Sequence, residues 1–161
     1  MQIKIISKQK VTEIYEYKIA EFNLKIIHNI LVCGAILSRW NNQYSGECEI
    51  CQQVENVFHL LYECKMAKQV WKVIGNCVGT NINDADIFIG RNNSVSFNNM
   101  ISQVAYSIYK YRLQTWETRE CRNFNNLCGN VSADLKYKKI IFKNMGHFQY
   151  VNLIDKILLN L

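Results

Sequence analysis

Apolar side chains recur along this chain at three- and four-residue steps, a spacing that predicts helices in preference to strands. Over residues 13–32, Tyr15, Ile19, Phe22, Ile26 and Ile30 form one stripe, which Ile27 and Leu31 widen. Gly34 is placed to stop that helix, and Ser38-Arg39-Trp40 then leads into a loop. Asn56 is an N-cap candidate for a short helix, Val57 to Tyr62, that breaks near Glu63. The next helix, Lys65 to Ile74, puts Met66, Val70, Trp71 and Ile74 on one face. A longer one, Asn98 to Arg119, aligns Ile101, Val104, Ala105, Ile108, Tyr111 and Thr115. Further on, Lys136, Lys138, Lys139 and Lys143 flank Tyr137, Ile140, Ile141 and Phe142 in another helix. Residues 150–161 close the series with Val151, Ile154, Ile157, Leu158 and Leu161. Residues 1–12 specify neither helix nor strand.

The predicted fold is therefore mostly α, with little or no sheet beyond a short ribbon. Three stretches divide it. Residues 13–75 hold a helix and a Cys/His-rich module, and are expected to pack best. Residues 76–97 are a polar connector with Gly79 and Gly90 around Ile87-Phe88-Ile89. Residues 98–161 are a helical tail, basic and aromatic. Asp84 and Asp86 lie in the connector and read as turn residues, not as a magnesium site.

Candidate chemistry is concentrated in one run, C-E-I-C-Q-Q-V-E-N-V-F-H-L-L-Y-E-C. It sets Cys48, Cys51, His59 and Cys64 in the order C-x2-C-x7-H-x4-C, a CCHC pattern. Three thiols and an imidazole complete a tetrahedral Zn2+ set and leave no position open for water or substrate. Such a site is structural. The competing readings are a redox pair at Cys48 and Cys51, and inert thiols. Phe58, Leu61 and Trp71 are expected to form a small apolar core under the metal, although Trp71 could instead stack a base. The ribbon is expected beside the first Cys pair, where Gly46 suits a turn. His28, Cys121 and Cys128 are not expected to ligate.

Composition narrows the class. The chain has 161 residues, 49% of them hydrophobic, which suits a packed core. Seven cysteines and no recognisable secretory leader point to a reducing, intracellular setting, nuclear or cytoplasmic. The longest apolar run, Ile26 to Leu37, contains His28 and Asn29 and is too short to span a bilayer. The formal charge of +6 divides as +2 over residues 1–47, zero over 48–75 and +4 over 76–161. Any polyanion contact is thus expected from the flanking helices. Tyr109, Lys110, Tyr111 and Arg112 interleave rings with cations, as single-stranded nucleic acid requires, and Lys136, Lys138 and Lys139 repeat the theme. The bland reading of both runs is a solvated helix rim.

Several of these features together resemble a known family. K-x2-E-F-N-L-K-I-I-H-N-I-L from Lys18, then L-S-R-W, then the CCHC pattern and Trp71, resemble the zinc-binding region of reverse transcriptases. That region lies near the C-terminus of non-LTR (LINE-type) retrotransposon polyproteins. I-F-I-G and I-Y-K-Y-R are similar to the tail that follows it, so the likeness covers about residues 13–120. The resemblance implies that Cys48, Cys51, His59 and Cys64 hold zinc, and that the tail meets RNA and the rest of a ribonucleoprotein. The polyprotein as a whole would be an RNA-directed DNA polymerase. This chain has four Asp and no adjacent pair, so the metal dyad of a polymerase palm is missing and no catalysis is expected from it. Three functions remain: a zinc-stabilised binder of RNA or single-stranded DNA, a zinc-stabilised structural or protein-interaction module, and a thiol redox enzyme.

Overall fold

A computed structural model describes residues 16–161. Among them are seven α-helices and one π-helical turn. No strand forms among these residues; the β-pairing is an isolated antiparallel bridge, Glu47 to Val54. The mostly α expectation therefore holds, and the ribbon shrinks to one bridge. No helix among the described residues is long and apolar enough to cross a membrane.

Helix α1, Tyr17–Ile27, is shorter than the apolar stripe suggested. His28 caps it, and Asn29 turns the chain at φ +53°. Ile30 is consequently 61% exposed while Leu31 is buried. Tyr15 and residues 1–12 lie outside the described residues. Gly34 does not stop this helix. It opens α2, Gly34–Trp40. A Cβ at Gly34 would lie 3.0 Å from the Glu55 Cβ, so close approach to the metal loop is what requires glycine there.

The π turn, His59–Glu63, runs into α3, Lys65–Val78, which ends on Gly79 in the left-handed conformation. The connector, whose Asn and Asp suggest a loop, holds a helix, α4, Asp84–Phe88. Asn83 caps it, and Asp86 returns the bond to the Asn83 amide, a capping box. Asp86 is also 2.7 Å from Arg91 Nε, so it is occupied by structure. Then come α5, Val95–Thr118, α6, Phe124–Asn144, and α7, Phe148–Leu158.

Helix α5 lies at the centre, packed against α1, α4, α6, α7 and the π turn. Its predicted face is buried throughout, from Ile101 to Thr115. Burial also takes in Asn98, Ser102 and Gln103. Such polar groups must find partners away from water: Ser102 Oγ accepts from Asn23 Nδ2 at 3.1 Å, and Asn98 brackets Arg91 by bonding both its N–H and its C=O. One apolar cluster runs from Phe22 through Leu61, Trp71, Val104 and Leu135 to Ile157, without a break at residue 75. Leu61 and Trp71 belong to it, and the Trp71 indole donates to the Leu61 carbonyl at 2.7 Å. Phe58 does not. It is 38% exposed and stacks on Phe88 of α4, with centroids 5.3 Å apart.

Candidate metal centre

The first two thiols sit on a tight knuckle. The Cys48 amide donates to the Gln53 carbonyl at 2.8 Å, and the Gln52 amide donates back to the Cys48 carbonyl at 2.7 Å. Gln52 takes φ +54° to close the turn. Gly46 precedes the knuckle at φ +76°, and a Cβ there would lie 2.7 Å from Ser38 Oγ of α2. Its carbonyl accepts the Glu55 amide at 2.9 Å, which ties the two arms of the loop together.

The other two ligand candidates come from the π turn. Asn56 Oδ1 accepts the His59 amide at 2.7 Å, the cap expected from the sequence. The Cys64 amide then donates to the His59 carbonyl at 2.8 Å, an i to i+5 bond. On an α-helix, side chains five apart point about 140° away from each other. The wider π ring brings residue i+5 back towards residue i, so His59 and Cys64 share a side. The break expected near Glu63 is also present: Cys64 takes ψ +135°, outside the helical range, between the π turn and α3.

These elements bring Cys48, Cys51, His59 and Cys64 together, with one ligand atom from each lying within 4.8 Å of all the others. The Cys48 and Cys64 sulfurs are 3.9 Å apart. A tetrahedral metal–sulfur bond of about 2.3 Å requires a separation of about 3.8 Å. Cys48, His59 and Cys64 are buried and Cys51 is half-buried. Among the described residues, His59 Nε2 is the buried side-chain nitrogen or oxygen that has no hydrogen-bond partner. A metal ion would supply that missing partner. The other ring nitrogen, Nδ1, faces Glu63 at 4.0 Å, beyond hydrogen-bond reach. The Lys65 amide, a free donor at the start of α3, points at Cys51 Sγ from 3.4 Å. The four residues could therefore hold a metal ion. His28, Cys121 and Cys128 lie outside the cluster.

The thiols are electrostatically primed. Cys48 is pulled down to about 3, chiefly by the hydrogen bond with Cys64, with help from His59 and Arg122 against the cost of burial. Cys64, its partner in that contact, is pushed up by the same contact and by burial. A divalent cation between the sulfurs would favour the deprotonated form of both.

Around the thiols lies a charge network that the sequence reading missed. Arg122, in the loop between α5 and α6, has a side chain only 4% exposed. Its Nη2 donates to Cys48 Sγ at 2.9 Å, and its Nε donates to Glu49 at 2.7 Å. Glu55, fully buried, lies 3.3 Å from the same Nη2 and accepts Arg112 Nε at 3.0 Å. Burial pushes the Glu55 carboxyl up, and the two guanidinium groups pull it back. Burial also opposes the charge on Arg122, but Glu55, Glu49 and the thiolates outweigh it and raise its pKa. These contacts join residues as far as 74 positions apart, so no local spacing announces them.

The nucleic-acid candidates do not gather on one surface. Arg112 is buried against Glu55, with its guanidinium 4.4 Å above the Trp116 ring. Tyr111 is buried as well, and its hydroxyl exchanges hydrogen bonds with the Asn123 backbone at 2.8 and 3.1 Å. Tyr109 is half-buried and packs on Phe22. Lys110 pairs with Asp134, Lys138 with Glu16 and Lys139 with Asp155. Lys136 is exposed on α6.

Residues 3–71 match the family model described as zinc-binding in reverse transcriptase. The matched segment contains all four ligand candidates and ends on Trp71, which bears out the resemblance seen in the sequence. The description names a zinc-binding region, not a catalytic domain. No curated protein and no solved structure matches the chain.

Proposed function

We propose that this chain, with a segment matching the zinc-binding region of reverse transcriptases, is a zinc-stabilised module that binds RNA or single-stranded DNA and has no catalytic activity of its own. Zinc suits the donors: three thiols and an imidazole, their ligand atoms within 4.8 Å of one another, make a closed set. The ion would link the knuckle, the π turn and the start of α3, and so contribute to folding.

One observation carries the nucleic-acid half of the reading. Lys136, Tyr137, Ile140 and Lys143 lie exposed along one side of α6. Tyr137 is 62% and Ile140 63% exposed. Cations for phosphates and a ring for a base thus stand side by side, as single strands require. The groove beside the knuckle suits a polyanion less well, since Glu47, Glu49 and Glu120 line it, and of its two arginines, Arg112 and Arg119, the first is already paired with Glu55. The remaining parts of a retrotransposon ribonucleoprotein would be the natural partners of such a module.

A structural or protein-interaction module is the second reading, favoured by the acidic partners of Lys110, Lys138 and Lys139. Anisotropy of labelled single-stranded RNA with zinc-loaded full chain separates the two. The proposal expects binding that weakens steeply between about 50 and about 200 mM salt. Absence of binding at the lower salt would leave the structural module. Metal analysis tests the other half: zinc should copurify with the wild type and be lost from Cys64→Ser.

A further inference from the structure

The metal-centre candidate is anionic by construction. Three thiolates around a divalent ion carry about one net negative charge, and this one lies among buried groups. Two carboxylates, Glu49 and Glu55, stand close by, so an arginine-free site would concentrate negative charge in a poorly hydrated place. Arg122 enters that place from the tail, fifty-odd residues beyond the last ligand candidate. Its guanidinium reaches Cys48 Sγ at 2.9 Å, Glu49 Oε1 at 2.7 Å and Glu55 Oε2 at 3.3 Å. The other terminal nitrogen, Nη1, is 4.0 Å from Cys64 Sγ.

The approach is built, not incidental. The next residue, Asn123, is held by the Tyr111 hydroxyl through both its N–H and its C=O. Asn123 also caps α6, accepting from the Asn125 and Asn126 amides. Tyr111 is fixed in turn within the buried face of α5. The Arg122 backbone is therefore pinned from both flanking helices while its side chain spans the gap to the sulfur.

We propose that Arg122 is a positioning residue of the metal centre, which makes the tail part of the site although it supplies no ligand. It would neutralise the excess charge of the metal–thiolate cluster and hold the Cys48 lone pair in a hydrogen bond. Groups that bond to a metal's ligands tune both affinity and ligand basicity. A lysine could replace the charge but not the fork, which meets sulfur and carboxylate at once. Metal loading and docking of the α5–α6 loop are then coupled in both directions, because whatever binds one arrangement better favours it. The inference rests on the metal-binding reading above.

The test uses the full chain with zinc, and with cobalt(II) as a spectroscopic probe. Arg122→Met should still bind one ion per chain, with affinity reduced by about 10–100-fold in competition with a chelator. Its thiolate-to-cobalt charge-transfer band should move to lower energy, since the sulfur loses a hydrogen bond; a purely structural role would leave the band in place. Arg122→Lys should fall between the two, and it carries the test if the methionine variant does not fold. Wild-type affinity and an unmoved band in Arg122→Lys and in any folded Arg122→Met protein would overturn the role of Arg122 alone. Failure of the wild type to bind either ion would overturn the metal site and this inference with it.

Discussion

Arg112 and Glu55 meet inside the protein, with Nε 3.0 Å from Oε2 and 3.1 Å from Oε1, although 57 positions separate them along the chain. Both side chains are shut off from solvent, at 6% and 0% exposure. Removing one member of such a pair strands the other without a counter-charge, at a cost of about 3–5 kcal/mol. Arg122 also touches Glu55, so Arg112→Met is expected at the lower end of that range. Replacing both residues together, Arg112→Met with Glu55→Leu, should recover part of the loss. Urea unfolding of the two single variants and the double variant checks this. Additive losses would mean that the two residues do not act as a pair.

Gly46 faces two demands at once. Its φ of +76° is strained for any other residue, and a Cβ there would lie 2.7 Å from Ser38 Oγ. Gly46→Ala is expected to cost about 1–3 kcal/mol, and the knuckle should lose metal affinity as its arms shift. Gly79 has a similar φ, +71°, with nothing within 4 Å of the added atom. Gly79→Ala should therefore show the backbone strain alone, about 1–2 kcal/mol, with metal affinity intact. Equal metal affinity in the two variants would contradict the role given to the Gly46 contact.

How much of this was readable in the sequence follows from the range of each interaction. The four ligand candidates fall within one short stretch, so their spacing alone put them together. Helices α3, α5 and α7 each present one continuous apolar face, and spacing identified those as well. Helix α1 was overextended because Ile30 and Leu31 keep the stripe going past Asn29, where the backbone turns. Helix α4 was missed because Asn and Asp read as loop residues, although Asn83 and Asp86 are spaced as a capping box. Phe58 was assigned to the core because its packing partner, Phe88, lies on a separate element. The Arg112–Glu55–Arg122 network depends on where the tail docks, and no pattern of nearest neighbours encodes that.

The paired thiols give the metal-free protein a pH dependence of definite sign. A group whose pKa falls on folding stabilises the fold above its ordinary value, and that contribution is lost as pH drops towards its folded value. Cys48, drawn from an ordinary thiol value of about 8.5 to about 3, follows that rule. Cys64 moves upward and does the opposite: its contribution is full below the ordinary thiol value and disappears as pH rises above it. Metal-free protein should therefore be most stable near the ordinary thiol value and weaken on either side. Zinc requires deprotonated ligands, so the melting-temperature gain on adding it should shrink as pH falls. Thermal melts from acid to alkaline pH, with zinc and with chelator, check both trends. A zinc effect that grew in acid would exclude the thiolates as ligands.

The exposed side of α6 can be separated from the paired lysines by salt dependence. Lys136 and Lys143 are exposed on that face, whereas Lys110 has Asp134 at 2.6 Å. Each phosphate contact on a single strand contributes about 0.7 to the slope of log affinity against log salt. Lys136→Gln with Lys143→Gln should therefore flatten the slope by about 1.4. Lys110→Gln should leave it nearly unchanged, because its charge already has a partner. Tyr137→Ala should weaken binding by about 1–3 kcal/mol at every salt concentration if the ring stacks a base. The double lysine variant alters no buried contact, so its melting temperature should match the wild type. An unchanged slope in the double lysine variant, with a lower one in Lys110→Gln, would move the interface from α6 to α5.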